Sequence, residues 1–372
     1  MSPNPPKPRR TASLPRPVPA LEELHRVPEA GIDTRQYLGL DRNERLAPFP
    51  DWFMDKIRQE VRSGLLTWYP VQDELEKELA DDLGVPVDRL ILTPSSDAAF
   101  KAIHEAYIRP GDSVVMLDPS YAMFPVYARM FQGNPIPIPF DHNLEIDTEL
   151  LLESIAPGVR LIMIANPNQP TGTVLTDGIL LELIDRASGV GALVVIDEAY
   201  YPFSRSTALP WVIDHSNLVV TRTLSKGAGL AGLRVGFAAG HPEVIGNLFK
   251  VRTVNDMNSM AILCAREILK HPEVISDYVD QVDAGREVLS RDVAAMGLTP
   301  LPSHANFMLI RVAHKRQPKQ IIEELKTKGY LVKGLEPPCV ADCIRVTLGP
   351  PDIMSRFAAS LAEVLDSGLP AN

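Results

Sequence analysis

The feature that most constrains this fold is a series of short runs of continuously apolar residues. They are RLILT (89–93), SVVMLD (113–118), RLIMIANP (160–167), ALVVIDEAY (192–200) and NLVVTRT (217–223). Stretches with helical spacing lie between them. A strand buried on both faces has no polar side, so such runs are typical of a parallel sheet covered by helices on both faces. The sequence therefore predicts an α/β fold with a mostly parallel sheet between helices.

The pattern changes beyond about residue 255, where long helical stretches precede a few short strands such as CIRVTL (343–348). This change predicts a smaller α+β domain after the large one. Seven of the first twenty residues are proline, which is typical of an extended or disordered tail. We expect a tail at 1–30, a segment joining the small domain at 31–50, a large domain at 51–255 and a small domain at 256–372.

Composition excludes several classes of function. The formal net charge of -10 argues against nucleic acid as a main partner, because phosphate backbones need a basic face. No run approaches the roughly 20 apolar residues of a membrane span, and the N-terminus lacks the apolar core of a secretory signal. Three cysteines without a CxxC pair and scattered histidines predict neither a disulfide framework nor a metal site. We expect a cytoplasmic protein that contacts neither membrane nor nucleic acid.

Polar residues follow the first two apolar runs, at the strand ends where open parallel sheets bind ligands. Ser95, Ser96 and Asp97 start a predicted helix, and free backbone N–H groups there can hold a phosphate. Tyr121 lies just beyond the next run and could stack on a planar ligand. If each stood alone, helix capping would be the better explanation for the first set and core packing for Tyr121.

Similar residues follow the next two runs. Asn168 and Gln169 precede a Pro-Thr-Gly turn and offer amide donors, although turn formation alone explains such residues. Asp197 ends a fully apolar run, so it is expected to be buried and to need a partner, and Tyr200 follows it. The alternative for Asp197 is an ordinary helix cap.

The last run leads into LSKGAGLAGLRVG (224–236), in which Lys226 and Arg234 are separated by small residues. Small residues allow close approach to the backbone, either by another helix or by a bound molecule. Together, the strand ends supply a phosphate seat, a stacking ring, amides, a buried acid, a lysine and an arginine. A planar, phosphorylated, carbonyl-bearing cofactor uses all of them, and pyridoxal phosphate is such a molecule.

The ordered motifs YP, SSD, PSYAMF, NPNQPTG, DEAY, TLSKGAGLAGLRVGF, ANFMLIR and IRVTLG resemble those of fold-type-I pyridoxal-phosphate aminotransferases, in particular the histidinol-phosphate aminotransferase branch. The resemblance covers roughly residues 35–366. It implies that Lys226 forms a Schiff base with the cofactor and later moves the substrate proton. Asp197 would pair with the pyridine nitrogen, and Tyr200 would hydrogen-bond the phenolic oxygen.

The resemblance also assigns the rest of the cofactor site. Ser96, Asp97, Ser225 and Arg234 would hold the phosphate, and Tyr121 would stack on the ring. Two further assignments follow in other parts of the chain. Tyr69 would reach the cofactor of a partner subunit, which implies a homodimer, and Arg345 would clamp the substrate carboxylate.

Two positions depart from the family pattern. Gln169 stands where the family has asparagine before the Pro-Thr-Gly turn, so either Asn168 or Gln169 could contact the cofactor. Lys333 stands where histidinol-phosphate enzymes have an arginine that helps to bind the substrate phosphate. Histidinol phosphate with 2-oxoglutarate, an aromatic amino acid or another amino acid therefore remain open as substrates.

The resemblance favours an aminotransferase that moves an amino group between an amino acid and a 2-oxo acid or related ketone. A pyridoxal-phosphate decarboxylase of an O-phosphorylated amino acid is the alternative within the same fold. A non-catalytic binding protein would have lost cofactor residues, and all of them are present here.

Overall fold

The structure is a computed structural model that describes residues 17–22 and 36–367. The strands are β1 (Leu38–Gly39), β2 (Leu90–Thr93), β3 (Ser113–Asp118), β4 (Asn134–Pro139), β5 (Val159–Ala165), β6 (Leu193–Asp197), β7 (Leu218–Thr223), β8 (Gly236–Gly240), β9 (Thr299–Pro300), β10 (Phe307–Arg311), β11 (Tyr330–Leu331), β12 (Lys333–Gly334) and β13 (Cys343–Thr347). The helices are α1 (Pro19–Glu22), α2 (Asp51–Glu60), α3 (Gly64–Thr67), α4 (Asp73–Leu83), α5 (Ser96–Tyr107), α6 (Met123–Met130), α7 (Thr148–Glu153), α8 (Asp177–Val190), α9 (Tyr201–Ser204), α10 (Pro242–Val251), α11 (Ser259–Lys270), α12 (Glu273–Ala295), α13 (Pro318–Thr327) and α14 (Pro351–Ser367).

The larger of the two main sheets has seven strands, in the order β2-β8-β7-β6-β5-β3-β4. This sheet and the helices packed on it are called the larger unit. Strands β4, β3, β5, β6 and β7 run parallel, and β8 is antiparallel to both of its neighbours. All five residues of β6 are buried, and so are all four of β2. Two separate apolar clusters cover the two faces of the sheet. The predicted α/β fold with a mostly parallel, doubly covered sheet is confirmed.

Two strands of this sheet were not predicted. Strand β4 has the sequence NPIPIP, and proline cannot donate a ladder hydrogen bond, so such a segment does not read as a strand. It is tolerated because β4 lies at the edge of the sheet. Strand β8 has the sequence GFAAG, which lacks the large apolar residues that mark a core strand.

A second sheet of four strands has the order β12-β13-β10-β9, and all its pairs are antiparallel. Helices α12 and α14 pack on it through a cluster that includes Tyr278, Phe307 and Phe357. Strand β1 pairs with β11, and Leu40 belongs to the same cluster. The segment after residue 36 thus packs with the smaller sheet, and the bounds 31–50 stay a prediction.

The exact domain boundary remains a prediction. Helix α11 lies beyond the predicted boundary at 255, yet its Ala261 and Ala265 pack in the cluster of the larger sheet. Tyr278 and Val279 of α12 pack with the smaller sheet. Most of the predicted tail at 1–30 lies outside the described residues, and its described part, 17–22, contains the short helix α1.

Candidate active site

A cavity of about 380 Å³ opens at the carboxyl ends of β5, β6 and β7, between the larger sheet and the smaller one. Its volume lies in the range of small-molecule sites. The lining residues come from the sheet ends, the helix α5 start, the N-terminal segment and β13: Arg42, Asn43, Glu44, Ser95, Ser96, Asp97, Tyr121, Ala165, Gln169, Asp197, Ala199, Tyr200, Thr223, Ser225, Lys226, Ala231, Gly232, Arg234 and Arg345. Most of the residues predicted for the site therefore meet in one cavity.

Asp197 is the last residue of β6 and is buried. Its Oδ1 accepts hydrogen bonds from Thr221 Oγ1 and from the backbone N–H of Ala199, each at 3.2 Å. Burial raises the pKa of Asp197 to about 7, although these two hydrogen bonds lower it. The carboxylate has neutral donors but forms no salt bridge within the described ranges 17–22 and 36–367. A buried acid of this kind fits a cationic group in the cavity.

Lys226 follows β7 and turns its ammonium group into the cavity, where Nζ donates to the carbonyl oxygen of Arg42 at 2.8 Å. Burial lowers the pKa of Lys226 to about 8, and Arg345 lowers it further, whereas Glu44 raises it. A lysine with this pKa is partly neutral near pH 8. Its amine is therefore available as a nucleophile and as a base.

Tyr200 begins the turn into α9 and is buried beside Lys226, whose Nζ lies 6.0 Å from the centre of the tyrosine ring. Burial raises the pKa of Tyr200 to about 12, so its phenol is protonated at neutral pH. The ring packs edge-on against Phe307 of β10 at 5.3 Å. This contact ties the residue to the smaller sheet.

At one end of the cavity, the start of α5 lies beside Arg234, which follows Lys226 in the loop after β7. Arg234 Nη2 donates to Ser95 Oγ at 2.6 Å, and Nη1 donates to Ser225 Oγ at 3.3 Å. Ser96 is the first residue of the helix, where backbone N–H groups lack partners. This arrangement of donors fits an anion such as a phosphate.

Gly236 explains how these elements approach so closely. A Cβ at this position would lie 2.7 Å from Ser95 C, from Ser96 N and from Arg222 O. Only glycine leaves room for β8 to pass beneath the start of α5. The small residue thus brings the arginine and the helix start together.

The carboxylate of Asp97 accepts from Tyr121 Oη at 3.0 Å and from Tyr127 Oη at 2.9 Å. Asp97 thereby fixes Tyr121, which lines the cavity. Burial and Asp97 raise the pKa of Tyr121 above its ordinary value. A carboxylate would repel a phosphate, so the backbone N–H of Asp97 is the group suited to an anion.

The two candidate amides lie in different surroundings. Asn168 is buried, and its amide nitrogen donates to Pro119 O at 3.0 Å and to Thr171 Oγ1 at 2.9 Å. Its Oδ1 accepts from Ser120 Oγ at 2.7 Å. Gln169 is half-buried and lines the cavity. The amide of Asn168 therefore holds the loop, and the amide of Gln169 is the one at the cavity.

Arg345 lies in β13 and reaches the cavity from the smaller sheet. It is buried, and Nη2 donates to the carbonyl oxygen of Asp41 at 2.6 Å. Its Nε is buried without a hydrogen-bond partner. An unpaired donor in this position is costly unless a ligand accepts from it.

Sequence reasoning missed the N-terminal strap, defined here as residues 41–44. Its carbonyl oxygens bind Arg345 and Lys226, and Asn43 Nδ2 donates to Tyr200 Oη at 2.9 Å. Arg42 and Glu44 also line the cavity. The only signal was a polar run, DRNER (41–45), between two apolar stretches.

Besides Asn168, two other predicted residues do not line this cavity. Tyr69 is 83% exposed and adjoins the exposed Trp68, far outside the lining set. Lys333 is exposed on β12, where it pairs in register with Arg345. Directly opposite residues of an antiparallel pair share a face, so the Lys333 side chain starts out on the Arg345 side of the sheet.

The class I and II aminotransferase family matches residues 35–361 of the chain. The chain belongs to the class I and II aminotransferases. Among curated relatives, histidinol-phosphate aminotransferase 2 of Bordetella parapertussis is 34% identical over 90% of this chain and 93% of its own length. Histidinol-phosphate aminotransferase of Dehalococcoides mccartyi is 30% identical over 91% and 93% of the two chains. The predicted family and its histidinol-phosphate branch are confirmed.

Solved structures show the same fold. Histidinol-phosphate aminotransferase of Sinorhizobium meliloti, solved in complex with pyridoxal-5'-phosphate, superposes with a TM-score of 0.85 at 24% identity, covering 96% of this chain and 99% of that one. A Thermus thermophilus aspartate aminotransferase variant gives a TM-score of 0.79 at 20% identity, covering 94% and 100%. The predicted fold-type-I architecture is confirmed.

As a class I and II aminotransferase, the chain is a pyridoxal-phosphate-dependent transaminase, and the predicted cofactor is confirmed. The residues fit this group on structural grounds. The buried acid Asp197, the partly neutral Lys226 and the anion site around Arg234 all face one cavity. Arg345 lines the same cavity, and its Nε has no hydrogen-bond partner and can donate to a ligand.

The described residues contain neither a membrane-spanning helix nor a cluster of metal ligands. No helix there is long and apolar enough to cross a membrane. No group of three or more histidine, cysteine or acidic side chains there is placed to hold a metal ion.

Proposed function

We propose that this aminotransferase acts on histidinol phosphate, with 2-oxoglutarate and glutamate as the other substrate pair. The supporting relatives carry that name at 30–34% identity across most of the chain. The observation that carries the proposal is the cavity itself, which brings Lys226, Asp197, Tyr200 and Arg345 together. Arg345 offers a guanidinium to the anionic group that both substrates possess, a phosphate in one and a carboxylate in the other.

We assign the chemical roles to three residues. Pyridoxal phosphate, when bound, supplies an electron sink for negative charge that develops at the substrate carbon. Asp197 would hold a proton on the ring nitrogen, which fits a carboxylate buried without a cationic partner. Lys226 would hold the cofactor covalently and then move a proton at the substrate carbon through Nζ. Tyr200 would donate a hydrogen bond from its phenolic O–H to the cofactor's ring oxygen.

The remaining contacts divide between the two ends of the cofactor. Arg234, Ser225, Ser96 and the backbone N–H of Asp97 would hold its phosphate. We propose that Gln169 rather than Asn168 contacts the ring oxygen, because the amide of Asn168 is already engaged. Tyr121 would stack on the ring, held in place by Asp97.

For the substrate anion we propose Arg345 aided by Lys333. Arg345 has a buried Nε without a partner, and Lys333 stands directly opposite on β12. A lysine binds phosphate as a point charge rather than as a fork. Its contribution should therefore be larger for a phosphate dianion than for a carboxylate.

We also propose a homodimer in which Tyr69 reaches the partner's cofactor. Trp68 and Tyr69 are 78% and 83% exposed, and the neighbouring Leu66 and Val71 are exposed as well. A contiguous apolar segment of this kind is typical of a protein–protein interface.

We propose the cytoplasm as the compartment. All three cysteines, Cys264, Cys339 and Cys343, are free thiols, and such thiols persist in a reducing environment. Cell fractionation checks this assignment, which recovery in a secreted or membrane fraction would contradict.

A donor screen tests the proposed substrate. The holoenzyme is mixed with L-histidinol phosphate, glutamate, an aromatic amino acid or phosphoserine, and the visible spectrum is followed. Histidinol phosphate and glutamate should convert the bound aldehyde to the amine form, and 2-oxoglutarate should reverse the change. Return of the aldehyde form with release of carbon dioxide would indicate a decarboxylase instead. If the aromatic amino acid converted the aldehyde form faster than histidinol phosphate, the proposed substrate would be wrong.

Lys333→Met sharpens the screen. It should raise KM for histidinol phosphate about tenfold, the loss of roughly one charge-assisted contact, and leave KM for glutamate nearly unchanged. Lys319→Met is the matched control, because Lys319 is another exposed lysine of the smaller unit, on α13. An equal effect of both variants would remove Lys333 from the substrate site.

A further inference from the structure

Asn43 is the strap residue in contact with Tyr200. It is buried at 2% exposure, and its Nδ2 lies 2.9 Å from Tyr200 Oη. Its backbone N–H donates to Thr347 Oγ1 at 3.0 Å, and its carbonyl accepts from Asn306 Nδ2 at 3.1 Å. Asn43 therefore joins the strap to Thr347 of the smaller sheet and to Tyr200, which follows β6 of the larger sheet.

The direction of the hydrogen bond to Tyr200 follows from Thr347. That hydroxyl is fully buried, and its oxygen already accepts the N–H of Asn43, so its own proton needs an acceptor. Asn43 Oδ1, at 3.4 Å, supplies it. The amide nitrogen of Asn43 then faces Tyr200, and an amide nitrogen can only donate.

We propose that Asn43 is a positioning residue that directs the phenolic proton of Tyr200 into the cavity. A phenol carries one proton and can accept hydrogen bonds at its oxygen. Because Asn43 supplies a proton to that oxygen, the phenol's own proton cannot point toward Asn43. It is directed instead into the cavity that Tyr200 lines, where the ring oxygen of a bound cofactor would accept it. This inference rests on the proposed role of Tyr200.

The charged groups around Tyr200 come from three other elements. Arg345 of β13 lowers the pKa of the phenol, Asp197 of β6 raises it, and Lys226 Nζ lies 6.0 Å from the ring centre. The hydrogen bond from Asn43 also lowers it. Of these groups, Asn43 is the one that touches the hydroxyl with a hydrogen bond.

The backbone of Asn43 makes a clean test possible. Its φ is +56°, a left-handed conformation that asparagine, aspartate and glycine tolerate best. Asn43→Asp therefore keeps the shape and the backbone but replaces the donor by a carboxylate, which only accepts. Tyr200 would then donate to position 43, and the ring oxygen would lose its donor.

The first measurement uses the protein without cofactor. The pKa of Tyr200 is obtained from the near-ultraviolet titration of the protein minus that of Tyr200→Phe. Asn43→Asp should raise this pKa by about one unit or more, since a phenol that donates to a carboxylate gives up its proton less readily. Asn43→Gly, which keeps the backbone and removes the donor, should raise it less. An unchanged pKa in both variants would overturn the proposal.

The second measurement is a double-mutant cycle on the holoenzyme. The midpoint pH of the visible absorption change is measured for wild type, Asn43→Asp, Tyr200→Phe and the double variant. Asn43→Asp should raise the midpoint by about one to two pH units with Tyr200 present, the effect of one lost hydrogen bond to a charged oxygen. With Phe at position 200 only the through-space effect of the new charge remains, so the shift should be much smaller.

Equal shifts in the two backgrounds would show that Asn43 acts as a structural or electrostatic neighbour and would overturn the inference. Thermal unfolding of each variant shows whether it is still folded, so that a changed pKa can be assigned to the hydrogen bond rather than to unfolding. If wild type failed to bind the cofactor at Lys226, the proposed function would be wrong. The titration of Tyr200 in the cofactor-free protein would still decide the role of Asn43.

Discussion

At the residue scale, Asp197 shows how burial prepares a side chain for a ligand. Its folded pKa of about 7 lies well above the unfolded value of 3.8, so the folded protein binds more protons between these values. The free energy of unfolding therefore contains a contribution that is complete below pH 3.8 and is lost as pH rises through 7. Above pH 7 the buried Asp197 carboxylate destabilises the cofactor-free protein, and a protonated ring nitrogen of the cofactor would offset that effect.

We predict that the cofactor-free wild-type protein loses about 3 kcal/mol of stability between pH 5 and pH 8 relative to Asp197→Asn. The amide cannot ionise, so other titrating groups cancel in the comparison. Urea unfolding at several pH values measures the difference. Parallel pH profiles for the two proteins would mean that Asp197 is not perturbed. Transamination by Asp197→Asn should fall by orders of magnitude.

Asn168 and Gln169 are neighbours with the same functional group but different surroundings. Asn168→Ala should lower the free energy of unfolding by about 1–3 kcal/mol, because it leaves buried partners in the loop without hydrogen bonds. Gln169→Ala should leave stability nearly unchanged and weaken cofactor binding about tenfold. Thermal unfolding and cofactor titration of both variants check this, and the reverse pattern would assign the contact to Asn168.

At the scale of elements, the anion site depends on how closely β8 approaches α5. Gly236→Ala would place a methyl group 2.7 Å from backbone atoms of Ser95 and Ser96, which cannot rotate away. We expect a loss of about 1–3 kcal/mol of stability from overpacking, together with at least a tenfold weaker affinity for pyridoxal phosphate. Equilibrium dialysis and urea unfolding give the two quantities.

Gly246→Ala is the matched control for this prediction. Gly246 lies within α10, and a Cβ there would meet no atom within 4 Å. Alanine should stabilise that helix by about 0.5–1 kcal/mol and leave cofactor affinity unchanged. If Gly236→Ala behaved like this control, the close approach of β8 and α5 would not matter for binding.

At the scale of the whole molecule, the proposed dimer makes each site depend on two chains. Lys226 of one subunit and Tyr69 of the other would form one site, so defects in different residues can complement each other. Inactive Lys226→Ala and weakened Tyr69→Ala proteins are mixed, dissociated and allowed to reassociate. We expect recovery of about a quarter of wild-type activity, because half of the dimers are mixed and each has one intact site of two.

No recovery above the sum of the separate variants would place Tyr69 outside the partner's site. Sedimentation of the unmixed proteins supplies the control, since both variants should remain dimeric. A monomeric wild type would contradict the proposed assembly itself.

The sequence by itself predicted the larger sheet and the residues at its edge. Continuous apolar runs mark strands buried on both faces, and parallel strands place their carboxyl ends together. Asp197, Ser225 and Lys226 could therefore be grouped without coordinates. Local pattern was sufficient because each of these residues lies at, or within three residues of, the end of a strand that the pattern identifies.

Only the tertiary structure decided the strap, the amide at the cavity, and strands β4 and β8. Asn43 contacts Thr347 across 304 positions of sequence, and no local pattern encodes such a pairing. Asn168 and Gln169 have the same chemistry, and only their burial separates them. Strand β4 contains proline and forms because it lies at the edge of the sheet. Strand β8 fits between its neighbours because Gly236 leaves room for the start of α5. In each case long-range packing, rather than local pattern, set the outcome.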